Sequence, residues 1–313
     1  MGSSVTEELG FGITRIDAGY LKPGVVCFYL LEADGECAII ETGTQHSVPS
    51  LERLLGQRNI AHEQVRYVIP THVHLDHAGG AGEMMSRFCN AQLLAHPRGA
   101  RHLVDPSRLV DASRMVYGEE LFEQLYGDIM PVPAERVLEV NDGDSFEFGG
   151  RRLLLRHTPG HADHHFCVWD EASRGWFSGD VFGISYAWFR TPGGDFSMPA
   201  TTPSQFRPEQ LQASIELLGA QNPDRIYLTH YGELAYSVEK QHALLDQIED
   251  YLHIARDKSG DIKAIEEAVM DYSLQRLEAI NPGADMTALR EHIRHDAQLN
   301  AQGLAVWFGR EQA

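Results

Sequence analysis

Between Val68 and Gly82 the chain reads VIPTHVHLDHAGGAG. A short apolar run, VRYVIP, has the composition of a buried strand and ends at Pro70. His72, His74, Asp76 and His77 follow at once, and then the Gly79-Gly80 pair. In extended backbone, residues two apart point the same way, so His72 and His74 can reach one metal ion. Asp76 and His77 come where the chain turns and can face a second ion. A solvated, His-rich turn is the plain alternative, but it gives no reason for four potential ligands at the end of a buried strand.

Three further stretches repeat the arrangement. HTPGHADHH carries His157, His161, His164 and His165 after the strand-like RRLLLR. WFSGDVFG places Asp180 after another apolar run, and IYLTHYGE places His230 after a third. Strand ends are where a rigid scaffold usually holds its functional loops. Eight of the sixteen histidines fall in the three histidine-bearing stretches, which random scatter does not explain.

The rest of the pattern supplies the scaffold. Residues 11–42 read as β-structure, with a hairpin at Ala33-Asp34-Gly35. A helix follows with Leu51, Leu54 and Leu55 on one face. Residues 98–130 are polar and mostly helical, an insertion or lid. Strands resume at RVLEV, SFEF, RRLLLRHT, HHFCVWD and GWFSGD; RPEQLQASIELLGAQ is a helix, and DRIYLTH is a strand ending at His230. From about Glu233 the pattern is helical to the end. Two runs of strands with attached helices suit two sheets covered by helices. The expected class is α+β: a sandwich domain over 10–235, with a helical C-terminal extension over 236–313 packed on it.

Charge narrows the partners. Of 313 residues, 26 are Lys or Arg and 45 are Asp or Glu, a net charge of −19. Such a chain is ill suited to nucleic acid or an anionic membrane. No apolar run approaches the roughly 20 residues of a membrane span. The opening MGSSVTEELGFG lacks the basic and apolar regions of a signal peptide, and MGSS is compatible with a cloning remnant. Cys27, Cys37, Cys89 and Cys167 are scattered and read as small core residues of a reducing, cytoplasmic compartment. A Cys27–Cys37 disulfide across adjacent strands is the exception to test.

HxHxDH (72–77), TPGH (158–161), SGD (178–180) and TH-Y-G (229–232) together resemble the metallo-β-lactamase superfamily, over about residues 10–235. HTPGHADHH and the helical tail resemble its glyoxalase-II-like branch, and SGDVFGISY looks like a subgroup of largely uncharacterised hydrolases there. The resemblance implies an αββα sandwich with metals at one edge of the two sheets. It implies that His72, His74 and His161 bind one metal, that Asp76, His77 and His230 bind the other, and that Asp180 bridges both. Five imidazoles and two carboxylates suit two divalent ions, zinc or iron, with manganese admissible. With a bridging hydroxide such a site carries about +1 and favours a developing oxyanion.

His165 reads as an orienting residue rather than a ligand. Glu41, in AIIETG, stands where the family usually has Asp, so its contact with the ligand loop is an open question. Asp76 and Tyr186 are the catalytic candidates, Tyr186 as a hydroxyl donor to a bound carbonyl. Residues 181–203 are an aromatic loop that could wall the substrate, or simply pack on the core. The expected function is hydrolysis of an ester-like bond, a thioester or lactone, by a metal-bridging hydroxide. The substrate is a small molecule, and a homodimer is admitted. Two alternatives stay open: a di-iron protein that binds or reduces oxygen or nitric oxide, and a mononuclear-iron persulfide dioxygenase. Flavodiiron proteins typically carry a carboxylate at the position of His74, which favours hydrolysis.

Overall fold

The computed structural model describes residues 6–191 and 193–312, apart from the Val116 side chain. The reading of MGSS falls outside them. The chain forms two compact units. One comprises Met1–His157, His164–Gly179 and Arg225–Glu233; the other comprises Thr158–Asp163, Asp180–Asp224 and Leu234–Ala313.

The first unit is built on two sheets. One follows chain order: β1 (Thr6–Gly10), β2 (Ile13–Asp17), β3 (Cys27–Ala33), β4 (Glu36–Ile40), β5 (Val65–Ile69), β6 (Gln92–Ala95) and β7 (Val137–Glu139). The other begins with β8 (Ser145–Phe148), β9 (Arg151–His157), β10 (Phe166–Asp170) and β11 (Gly175–Gly179). The chain then leaves this sheet. It makes a two-stranded ribbon of β12 (Arg190–Thr191) and β13 (Gly194–Asp195) in the second unit, and returns as β14 (Arg225–Leu228) beside β11, followed by β15 (Gly232–Ala235). The expected hairpin joins β3 to β4: Ala33 pairs with Glu36, and Asp34 and Gly35 both have positive φ, 41° and 78°. That is the type I′ geometry matching strand twist.

Strands buried on both faces explain apolar runs such as those of β10 and β11, which are buried at every residue; β2, ITRID, is buried throughout as well although it carries Thr14, Arg15 and Asp17. The sheets meet through aromatic rings. Phe177 stacks on Tyr227 at 4.5 Å, and Tyr29 from the other sheet meets Phe177 edge-on at 5.0 Å. Parallel pairing of β4 with β5, and of β11 with β14, brings their C-terminal ends to the same sheet edges. Helix α1 (Val48–Arg58) buries Leu51, Leu54 and Leu55 as the spacing predicts, and α2 (Leu75–Ala78) is the single turn that carries Asp76 and His77. Helix α3 (Ala81–Arg87) follows, and the polar segment forms α4 (Pro97–Val104), α5 (Ser107–Tyr117) and α6 (Glu119–Tyr126).

Cys27 and Cys37 are free and buried, so the disulfide does not form. The register gives the reason. Cys27 faces Asp17 on β2, whereas Cys37 faces Glu32 on β3, so the thiols are not partners. Burial pushes the Cys27 thiol up to about 11 and the Cys37 thiol up to about 12.

The second unit holds α7 (Pro208–Ala220), α8 (Val238–Asp257), α9 (Ile262–Ile280) and α10 (Met286–Glu311). Side chains cap the last three: Ser237 accepts from Lys240 N, Asp261 from Ala264 N, and Asp285 from Thr287 N and Ala288 N. Among the described residues no helix is long and apolar enough to cross a membrane. The α+β class and the αββα sandwich with a helical C-terminal region are as expected.

Candidate metal centre

The first unit organises its ligand loops around one buried carboxylate. Glu41 is 1% exposed and has a φ of 62°, uncommon for a residue other than glycine. Its Oε2 accepts from Thr71 N at 2.9 Å. Its Oε1 accepts from Thr71 Oγ1 at 2.6 Å, Thr229 Oγ1 at 3.0 Å and His77 Nδ1 at 2.9 Å. One side chain thus ties together the chain just past β4, β5 and β14. The contact left open by the sequence is made.

These bonds set the imidazole tautomers. Thr71 Oγ1 donates to Glu41, so it accepts from His72 Nδ1, 3.1 Å away. The Nε2 lone pair of His72 then faces His74 Nδ1 at 2.7 Å. His77 gives its Nδ1 proton to Glu41, and His230 gives its Nδ1 proton to Val25 O at 3.0 Å. Both Nε2 atoms turn toward Asp76 Oδ2, at 3.6 Å for His77 and 3.4 Å for His230. The donor atoms of Asp76, His77 and His230 lie within 4.8 Å of one another.

The support of His230 was not legible as function. Asp17, at the end of β2, accepts from Gly19 N at 2.8 Å, Gly24 N at 2.7 Å and Tyr231 Oη at 3.0 Å. It folds the loop that ends at Val25 and fixes the residue after His230. Arg15 covers the Tyr231 ring at 4.2 Å. DAGYLKPG carries an Asx-turn signal for this loop, but its link to His230 spans more than two hundred residues.

The second unit repeats the logic on a smaller scale. His161 Nδ1 donates to Ala200 O at 3.0 Å, and its Nε2 faces Asp180 Oδ2 at 3.2 Å. Gly160 of TPGH has a φ of 128°, and a Cβ there would fall 2.2 Å from Leu211 N on α7, so only glycine fits. Tyr186, the candidate donor to a bound carbonyl, is 4% exposed and donates to Asp296 on α10 at 3.0 Å. Trp188 lies 4.8 Å from the His292 ring. Asp163 accepts from Arg207 at 3.3 Å.

His165, in the first unit, is fully buried with its ring 4.9 Å from that of His72. Gly179 has a φ of 49°, and a Cβ there would meet His165 Nε2 at 2.4 Å and Thr71 Oγ1 at 2.5 Å, which accounts for the glycine of SGD. His164 is buried near the ligand rings, at 5.9 Å from His74. His157 donates to Val140 O and packs on His96.

Lone pairs and carboxylate oxygens at these separations repel unless a proton or cation lies among them. Nδ1 protons committed to protein acceptors, with Nε2 atoms converging on carboxylates, are how histidine ligands are oriented. The donor sets therefore fit a metal, and the protein is a sandwich scaffold with His/Asp groups that could hold one at its strand ends. The chain belongs to the metallo-beta-lactamase superfamily, whose family model matches residues 21–230.

Its relatives agree at low identity. It is 24% identical over 236 residues to the metallo-beta-lactamase fold-containing protein ST1585 of Sulfurisphaera tokodaii, covering 74% of this chain and 82% of that one. A crystal structure of ST1585 from Sulfolobus tokodaii superposes with a TM-score of 0.67 at 21% identity, covering 94% and 98% of the two chains. Similarity to a hydroxyacylglutathione hydrolase of Aeromonas hydrophila, 25% over 225 residues and 70% and 68% of the chains, supports the glyoxalase-II-like branch. An uncharacterized protein of Mycobacterium tuberculosis is 28% identical over 151 residues, which cover 48% of this chain and 61% of that one.

Proposed function

We propose that the chain is a dinuclear metal-dependent hydrolase of an ester-like bond, a thioester or a lactone. The observation that carries this reading is the set of ring orientations: His72, His77, His161 and His230 each commit Nδ1 to a protein acceptor and turn Nε2 toward another donor. His72, His74 and His161 would hold one ion, Asp76, His77 and His230 the other, and Asp180 both. Zinc and iron fit such donors, and manganese is admissible. Two such ions supply Lewis-acid charge and an activated water.

The chain's own groups do the rest. Glu41 keeps His77 in the tautomer that presents Nε2, and Val25 O does the same for His230. Asp76 has a side chain 21% exposed, the most open of its triad, which suits it to face a substrate as well as an ion. The substrate is a small molecule handled in the cytoplasm, without nucleic acid or membrane, and a homodimer is compatible with the reading. The similarity to a hydroxyacylglutathione hydrolase favours a thioester.

The test is metal content followed by a substrate panel on the same sample. We expect about two ions per chain, with turnover of a thioester or lactone and no oxygen consumption. A folded preparation limited to one ion, or one that consumes oxygen with a persulfide or electron donor and hydrolyses nothing, would replace this reading with the corresponding iron chemistry.

A further inference from the structure

Helix α10 reads from sequence as packing, yet one of its side chains reaches the support of a ligand. Asn300 is 3% exposed and lies against the segment Pro199-Ala200-Thr201. Its Oδ1 accepts from Thr201 N at 2.7 Å and from Thr201 Oγ1 at 2.9 Å. Its Nδ2 donates to Pro199 O at 3.0 Å. The chemistry of the partners fixes the orientation of the amide: a peptide N–H needs the oxygen and a carbonyl needs the NH2. Between the two peptides so gripped lies Ala200, whose carbonyl accepts the Nδ1 proton of His161 at 3.0 Å.

The grip is close. Gly303, one turn along α10, lets the helix backbone approach so nearly that a Cβ there would lie 1.6 Å from Thr201 O. His161 and Thr201 are fully buried and Ala200 is 4% exposed, so water has little room to replace these bonds. From this geometry we infer that Asn300 is a positioning residue for His161. It clamps the peptides on either side of Ala200, fixes where the Ala200 carbonyl points, and so fixes the tautomer and direction of the His161 ring. The C-terminal helices thereby take part in shaping a ligand that lies nearly 140 residues earlier in the chain. The inference rests on the reading of His161 as a metal ligand.

A purely structural asparagine would make the same contacts, so the test reads the metal rather than the fold. Full-length wild type, Asn300→Ala, Thr201→Val and Leu304→Ala are loaded with Zn2+, and affinity is measured by chelator competition. The same proteins are loaded with Co2+, whose visible spectrum reports ligand geometry. Asn300→Ala should weaken one of the two ions about 10–100-fold, the usual effect of losing an orienting partner, and alter the Co2+ spectrum. Thr201→Val, which removes only the hydroxyl, should give a smaller change in the same direction. Leu304 is fully buried on the same helix; Leu304→Ala should lower the melting temperature while leaving affinity and spectrum as in wild type. Wild-type affinity and spectrum in folded Asn300→Ala would overturn the inference alone. If that variant does not fold, Asn300→Asp, which keeps an acceptor for Thr201 N but loses the NH2 that Pro199 O accepts from, takes its place, and wild-type affinity and spectrum there overturn the inference. Wild type that takes up no Zn2+ or Co2+ would overturn the metal reading and this inference together.

Discussion

At the scale of single residues, Glu41 shows what a sequence reveals and what it withholds. The residue type and its place at a strand end are visible, but its partners are not, because Thr71, His77 and Thr229 lie 30 to 188 residues away in the chain. The structure gives it four hydrogen bonds to groups that hold ligand loops. Glu41→Gln tests the arrangement. Whichever way the amide turns, its NH2 meets at least one N–H or O–H donor and leaves that donor unsatisfied. Such a buried loss costs about 1–3 kcal/mol of stability. The disturbed His77 ring should weaken metal binding about 10–100-fold. Thermal melts and chelator competition measure the two separately; metal affinity equal to wild type would mean that Glu41 secures the fold without orienting His77. The His/Asp motifs stand out in the sequence because their spacing is local. Asp17, Ala200 and Asn300 were not, because each acts on a histidine distant in sequence through a backbone group of no distinctive type.

At the scale of elements, periodicity and turn chemistry served well where the information is local. The Asp34-Gly35 hairpin, the apolar face of α1 and the capped C-terminal helices all follow from residues within a few positions of one another. What covers a helix face does not follow, since an apolar stripe says that something is buried and not what lies against it. Sheet register is similarly hidden, and it decides the fate of the cysteines. The pairing of β3 with β2 and β4 keeps Cys27 and Cys37 apart, and burial raises both thiols, to about 11 and about 12. A thiol reacts as its thiolate, so near pH 8 these two should be inert. Cys167 is fully buried as well, whereas Cys89 is exposed. Labelling the native protein with an aromatic disulfide reagent should therefore modify Cys89 quickly and the other three only after unfolding. Rapid modification of Cys27 or Cys37, located by peptide mapping, would contradict the strand packing described for the first unit.

At the scale of the whole molecule, a net charge of −19 bears on stability as well as on partners. Self-repulsion opposes compactness in so acidic a chain. The candidate ligand set adds carboxylates in low-dielectric surroundings, with Asp180 5% exposed, and Glu41, which supports His77, is 1% exposed. Cations held there would relieve a strain that surface counterions reach only weakly. An ion that binds the folded chain and not the unfolded one stabilises it by about 4 kcal/mol when its free concentration is roughly a thousand times its dissociation constant. For a chain of this length that corresponds to a fall in melting temperature on the order of 10 °C on removal of metal. Calorimetry before and after treatment with a strong chelator, followed by return of Zn2+, measures it. The fall should be reversed by the metal. Added sodium chloride should restore only a small part of it, because bulk salt screens the exposed acidic surface far better than the buried carboxylates. If salt alone restores the full melting temperature, the effect belongs to the surface charge; if the chelator leaves the melt unchanged although metal is lost, the ligand loops are held by their protein hydrogen bonds, with Glu41 at the centre, and the ions contribute nothing to folding.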